Sequence, residues 1–311
     1  MYKEKRHSRS EFVPIRGLRC HVRIWGEPAD ASPDLPPLVL LHGWMDVAAS
    51  YQFMVDAFSS AFAAGRAIIA PDLRGFGQTA PAETASSHDN FWFPDYLADL
   101  DFLLDHYVQD QPVHLVGHSM GGNVAMIYAG VRPERIRKLV NLEGFGLPAS
   151  RPAQAPERYA RWIDELKSLQ RGEMALTAYD DASGVARRLM KTNRRLSADK
   201  AHWLARQWAQ PDAAGQWHIL GEAGHKVTSA YLYRADETLA IYQRISAAVL
   251  AVQASDDSLA KWHKGSYTLA DYHERLQQVA QAEVAVIQDA GHMLHHDQPE
   301  QLASLIEGFL G

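Results

Sequence analysis

The pentapeptide Gly117-His118-Ser119-Met120-Gly121 has the spacing of a nucleophile held on a sharp turn. It follows the apolar run Val113-His114-Leu115-Val116 and leads straight into a helix-period segment, so it reads as strand, turn, helix. Such a turn exposes a hydroxyl only if the backbone is strained and its neighbours carry almost no side chain, which is the task of the two glycines. A purely structural glycine turn is the weaker reading, because the serine stands where strand gives way to helix. A second motif, Leu40-Leu41-His42-Gly43-Trp44-Met45-Asp46, ends another apolar run. Its place brings the Trp44 N–H to the carboxyl edge of a sheet, where open α/β sheets bind their ligands. Together with the Met120 N–H at a helix start, it would form an oxyanion hole for a carbonyl attacked by Ser119. His42 is expected to be a buried histidine bonding its own loop.

The elements that must position these residues follow from the pattern of apolar runs. Residues 12–15 and 20–25 read as a hairpin. Continuous aliphatic runs at 38–41, 67–70, 113–116, 139–142, 249–252 and 284–287 have the character of strands buried on both faces. Helix-period segments at 51–62, 96–107, 120–131, 269–279 and 299–310 separate them, which predicts a mostly parallel sheet with helices on both sides. Between about 148 and 245 no strand is evident. Helical segments at 158–170, 185–190, 200–209 and 235–244, rich in Trp, Arg and Ala, predict a helical cap over one end of the sheet. The domain reading is a core of residues 1–147 and 246–311 with a lid of 148–245.

On these motifs the chain resembles the α/β-hydrolase superfamily, over roughly 36–147 and 247–310. Pro71-Asp72-Leu73-Arg74-Gly75-Phe76-Gly77 is similar to the loop after that fold's fourth strand, where Asp72 and Arg74 are structural. The resemblance implies an eight-stranded sheet with an inserted helical cap and a triad in the order Ser, acid, His. It makes His292, in Asp289-Ala290-Gly291-His292, the base. For the acid it favours Asp257, at the end of the strand 249–252 in Gln253-Ala254-Ser255-Asp256-Asp257, although Ala254 stands where the family commonly has Gly. Glu143, ending the strand 139–142, and Asp256 are the alternatives. Either acid type would fix the imidazole tautomer and stabilise the imidazolium.

Ser119 in place of Asp argues against the epoxide hydrolase and haloalkane dehalogenase branches, which need a carboxylate nucleophile. A Ser–His pair instead implies an acyl-enzyme. The expected activity is a serine esterase, without cofactor, on a small-molecule acyl substrate with an apolar part. Acyl transfer, perhydrolysis and a receptor-like ligand-binding role are the alternatives. Trp162, Tyr179, Trp203, Trp208, Trp217, Tyr231 and Tyr233 offer packing for the cap helices, and some of them an apolar pocket roof. Arg187, Arg188, Arg194 and Arg195 read as a solvated face. His295 and His296 make a metal-like cluster with His292 on paper, but no cysteine or matching acidic ligand set accompanies them and zinc needs at least three converging ligands, so no metal is expected.

Composition excludes other classes. Among 311 residues, 31 Lys and Arg face 37 Asp and Glu, a net charge of −6 with no basic stripe for nucleic acid. Hydrophobic residues at 47% can supply a large core, which rules out a disordered chain. One cysteine, Cys20, permits no intrachain disulfide and fits a reducing compartment. No apolar run reaches the ~18 residues of a membrane span. The basic start MYKEKRHSRS lacks a following apolar segment, so it reads as a frayed polar tail of a cytoplasmic protein.

Overall fold

Aliphatic and β-branched runs bounded by turns build the sheet in this computed structural model, which describes residues 2–27, 35–82 and 90–311. The chain enters as an antiparallel hairpin of β1 (Arg9–Ile15) and β2 (Leu18–Trp25). Then come β3 (Leu38–Leu41), β4 (Ile68–Pro71), the two-residue β5 (Ala80–Pro81), β6 (Val113–His118) and β7 (Ile136–Leu142). Short strands β8 (Ala178–Tyr179), β9 (Ala209–Pro211) and β10 (Trp217–Ile219) precede β11 (Ala248–Ala254) and β12 (Ala282–Ile287). The main sheet runs β1-β2-β4-β3-β6-β7-β11-β12, with β5 beside β2. From β4 to β12 every pairing is parallel. The eight strands of this path are those the sequence implies.

Helices cover both faces. They are α1 (Gln52–Ala57), α2 (Ser60–Ala63), α3 (Phe93–Val108) and α4 (Met120–Val131), and after the insertion α9 (Ser258–His263), α10 (Leu269–Leu276), α11 (Leu294–Asp297) and α12 (Pro299–Leu310). Within β3, Val39 and Leu41 join Leu100, Leu104 and Val124 in one core layer. Leu38 and Leu40 join Met54, Val55, Leu302 and Ile306 in the other. A strand covered on both sides must be apolar at every position, which is why these segments read as continuous runs.

The insertion contributes α5 (Ala155–Gln170), α6 (Ala182–Thr192), α7 (Ala198–Trp208) and α8 (Ala235–Tyr242). It also holds a small sheet, β8-β10-β9, where the sequence suggests helices alone. Strands of two or three residues are too short to show an alternating pattern. Helices α6 and α7 close their own core, in which Val185, Leu189 and Leu204 pack on Phe53 of α1. Helix α8 packs instead on α4: a Cβ on Gly130 would meet the Ile241 carbonyl at 2.2 Å, and Tyr242 and Ile245 belong to the main core. The insertion meets segments that follow the carboxyl ends of the parallel strands. Gly77 N donates to Leu220 O, Glu222 N to Gly75 O, Trp208 Nε1 to Ser50 Oγ, and Arg195 to Asp256 and Asp289.

Two loops bear on the expectations. Asp72 accepts from His21 Nδ1 (2.7 Å), Ala48 N (2.7 Å) and Gln78 N (2.8 Å), and Arg74 binds Asp99 through two nitrogens, so both are structural. The N-terminal segment is docked, in contrast to the frayed tail read from its charges. The Tyr2 hydroxyl and the Lys5 and Arg6 amides all donate to the Asp56 carboxylate, and the Tyr2 ring packs edge-on against Phe53. That partner lies 50 residues from Arg6, beyond any local pattern. No helix among the described residues is long and apolar enough to cross a membrane.

Burial holds six imidazoles below their ordinary value: His42, His114, His118, His225, His295 and His296, with His114, His225 and His296 at about 3. Unfolding frees them to bind protons near pH 6.5, so stability is full above that value and falls as pH drops. Asp46, which burial pushes up to about 7, and Asp297, which burial also raises, act in the opposite sense down to their unfolded value. Six histidines outweigh two aspartates at ~1.4 kcal/mol per group and pH unit. The expected outcome is a Tm lower by roughly 10 °C or more at pH 5 than at pH 7.5. A Tm that is level across this range, measured by circular dichroism, would contradict the burial of these rings.

Candidate active site

The turn after β6 sets the geometry. Ser119 takes φ 52°, a left-handed conformation costly for a side chain, and its amide donates to Leu142 O of β7 at 2.8 Å. A Cβ on Gly117 would stand 2.2 Å from Gly121 O, and one on Gly121 would stand 2.2 Å from Leu41 O. Both glycines are therefore dictated by close backbone approach, which the motif's spacing anticipates.

His292 lies in the loop between β12 and α11. Its Nε2 is 3.0 Å from Ser119 Oγ, and its Nδ1 is 3.1 Å from Glu143 Oε2. Glu143 is the first residue beyond β7, at φ 56°, and its amide donates to Val252 O of β11. Its other carboxylate oxygen, Oε1, accepts from Ala254 N at 2.7 Å, and the side chain is only 1% exposed. A buried carboxylate bonded at both oxygens orients the ring with Nδ1–H toward Glu143 and the Nε2 lone pair toward Ser119.

Asp257, the acid favoured from the sequence, does not reach His292. It is the N-cap of α9, where its side chain accepts from Ala260 N at 2.8 Å. Asp256 faces outward to Arg195 and Lys261, and those partners, Arg195 first, hold its carboxyl below the ordinary range. The loop after β11 has another task. Ser255 N donates to Ile287 O and Asp256 N to Ala290 O, which fixes the segment leading to His292. Ala254, where the resemblance expects Gly, supplies the amide that holds Glu143.

The proposed oxyanion donors lie beside the nucleophile. A Cβ on Gly43 would be 3.3 Å from Ser119 Cβ, so the peptide leading into Trp44 passes along the serine, and Met120 opens α4 next to it. The Trp44 side chain is 54% exposed. His42 is satisfied within its surroundings, with Nδ1 donating to Gly43 O and Nε2 accepting from Leu73 N.

Three residues at the site go beyond the sequence reading. Trp262 of α9 stands edge-on to His292 with ring centroids 4.4 Å apart. His118 donates from Nε2 to the His292 carbonyl at 2.7 Å, and burial keeps its imidazole well below the ordinary pKa. Asp46, buried in the loop after β3, accepts from Val47 N and the Ser50 hydroxyl. An oxyanion motif alone gives no reason to single out its last residue. The insertion's aromatic residues divide otherwise: Trp203 packs on Phe53 and Tyr2, Trp162 on Trp92, and Tyr231 on Trp92. Arg187, Arg188, Arg194 and Arg195 are exposed, as a solvated face requires, and Arg195 pairs at that surface with Asp256 and Asp289.

Known proteins place this arrangement in context. The chain is 25% identical to the serine hydrolase-like protein of Danio rerio, over 98% of this chain and 89% of that protein. A stretch covering 42% of this chain is 38% identical to epoxide hydrolase 2 of Siraitia grosvenorii, of which it spans 37%. Among solved structures, the thioesterase domain from the curacin biosynthetic pathway superposes with a TM-score of 0.78 at 24% identity, covering 96% of this chain and 99% of that one. The family model for the alpha/beta hydrolase fold matches residues 36–299, and the chain belongs to that family.

Proposed function

We propose that the chain is a serine hydrolase acting on an ester-like carbonyl through an acyl-enzyme, with Ser119 as nucleophile, His292 as base and Glu143 as the acid. The observation that carries this reading is the unbroken contact from Ser119 Oγ to His292 Nε2 and from His292 Nδ1 to Glu143 Oε2. His292 takes the hydroxyl proton as Oγ attacks the carbonyl carbon. The Trp44 and Met120 amides then hold the oxyanion, and His292 returns the proton to the leaving group. Water, activated by the same ring, hydrolyses the acyl-enzyme. Glu143 keeps its charge throughout and stabilises the imidazolium. A hydroxyl at the turn supports acyl chemistry in place of the alkyl-ester chemistry that a carboxylate would bring. The substrate class is a small acyl compound with an apolar part.

Labelling of Ser119 by a fluorophosphonate probe is the direct test, with Ser119→Ala losing both the label and ~10³-fold or more of esterase rate. Glu143→Gln should lose ~10³–10⁴-fold in kcat, because an amide NH2 turned toward His292 forces the wrong tautomer. Asp257→Asn keeps a competent helix cap and should retain most of the activity. Collapse of the Asp257 variant alongside near-normal turnover in the Glu143 variant would reverse the assignment.

A further inference from the structure

Beneath the nucleophile turn, Asp46 from the loop after β3, His118 from the end of β6 and His295 from α11 meet in a region closed to solvent. Asp46 Oδ2, His118 Nδ1 and both ring nitrogens of His295 have no hydrogen-bond partner there. Buried polar atoms are nearly always paired, so three residues that each bring an unpartnered atom into one cluster call for a ligand, to which His295 offers one of its two ring nitrogens. We infer that this cluster is a binding site for a divalent transition-metal ion of the zinc class, separate from the triad.

The donor set and its support both fit. Two imidazoles and one carboxylate are the nitrogen and oxygen ligands that zinc takes in three-ligand sites with a fourth position open. A metal-binding histidine typically donates its other ring N–H to a carbonyl, which fixes the free lone pair. His118 does so through Nε2 to the His292 carbonyl, leaving Nδ1 as the lone pair. The Asp46 carboxylate is held in the same manner, since Oδ1 accepts from Val47 N and the Ser50 hydroxyl while Oδ2 stays free. Gly43 adds room, because a Cβ there would crowd His118 Nδ1 at 2.9 Å. The three ligand atoms lie within 4.8 Å of one another, and Asp46 Oδ2 is 4.0 Å from His295 Nε2. Metal–ligand bonds of about 2.0–2.1 Å place tetrahedral ligands ~3.4 Å apart, so closing the edges by at most roughly 1.4 Å seats the ion. His292 and His296, which share the same sequence cluster, stay outside.

The test loads the tag-free full chain by refolding and dialysis against Zn²⁺, then measures metal content and Tm. The wild type should retain one ion per chain and gain several degrees in Tm, as expected for a ligand that binds only the folded state. Asp46→Asn and His295→Phe, checked for folding by circular dichroism, should lose both effects. His218→Ala, which removes an exposed histidine paired with Asp212, should keep both. Should the buried variants fail to fold, the Zn X-ray absorption spectrum of the wild type decides: two imidazoles and a carboxylate support the site. A shell with one imidazole or none overturns it, as does retention of the ion by His295→Phe or failure of the wild type to hold Zn²⁺. None of these readouts depends on turnover, so a failed esterase assay leaves this inference standing or falling by itself.

Discussion

Each turn at the carboxyl ends of β6, β7 and β11 is tied by one amide to a carbonyl on the next strand. Ser119 N donates to Leu142 O, Glu143 N to Val252 O, and Ser255 N to Ile287 O. Those bonds continue the sheet ladder one residue past the strands, so the spacing of the site is the spacing of the strands, about 4.8 Å. Four non-glycine residues hold positive φ in the segments that follow the parallel strands β3, β6, β7 and β12: Met45, Ser119, Glu143 and Asp289. Each is an unfavourable conformation that persists only because its surroundings over-determine it. The sheet provides that constraint, and the reacting groups inherit its rigidity.

This ladder also explains why glutamate fits where it does. Ser119 and Glu143 sit on adjacent strands, whereas His292 comes from the loop after β12, beyond β11. A carboxylate starting at the end of β7 must extend across one strand spacing to meet the ring. Glutamate has the length, and the Ala254 amide at the end of β11 receives its far oxygen. The place where the resemblance expects the acid is thus occupied by a backbone donor that holds an acid from the neighbouring strand. Asp257 contributes at one remove, since it caps the helix whose Trp262 packs on His292.

What was legible in the sequence follows the range of the interactions concerned. Continuous aliphatic runs revealed the parallel strands, and in β3, β4, β6, β7 and β11 burial on both faces leaves few polar positions. Strand β12, at the sheet edge, is not buried as its run suggests: Val284 and Val286 are 45% and 42% exposed. The glycines at 117 and 121 revealed the tight turn at Ser119, because backbone contact at 2.2 Å allows no alternative residue. The carboxylate that meets His292 was not legible, because Asp257 and Glu143 both follow strands closely, and the sequence does not tell that Asp257 turns to cap α9 while Glu143 reaches the ring. Nor was the docked N-terminus, which depends on distant partners such as the Asp56 carboxylate, Gln52 and Trp203. The grouping of His118 and His295 with Asp46 was hidden likewise, since the three residues come from the end of β6, helix α11 and the loop after β3.

The insertion is held unevenly, and the difference lies in what each part buries. Helices α6 and α7 share an apolar core with Phe53 of α1, and burying such side chains contributes roughly 1.5–3 kcal/mol each. The ion pairs of Arg195 with Asp256 and Asp289 lie at the surface, where such contacts contribute ~0–1 kcal/mol. Helix α5 buries no residue fully. Arg158 donates to the Ser229 and Tyr231 carbonyls, Glu165 accepts from Thr228, and Trp162 meets Trp92. Few buried apolar contacts and exposed hydrogen bonds mark the low end of local stability. Helices α6 and α7 are therefore fixed to the sheet by the same apolar burial that fixes α1, while α5 opens at a lower cost than the elements around it.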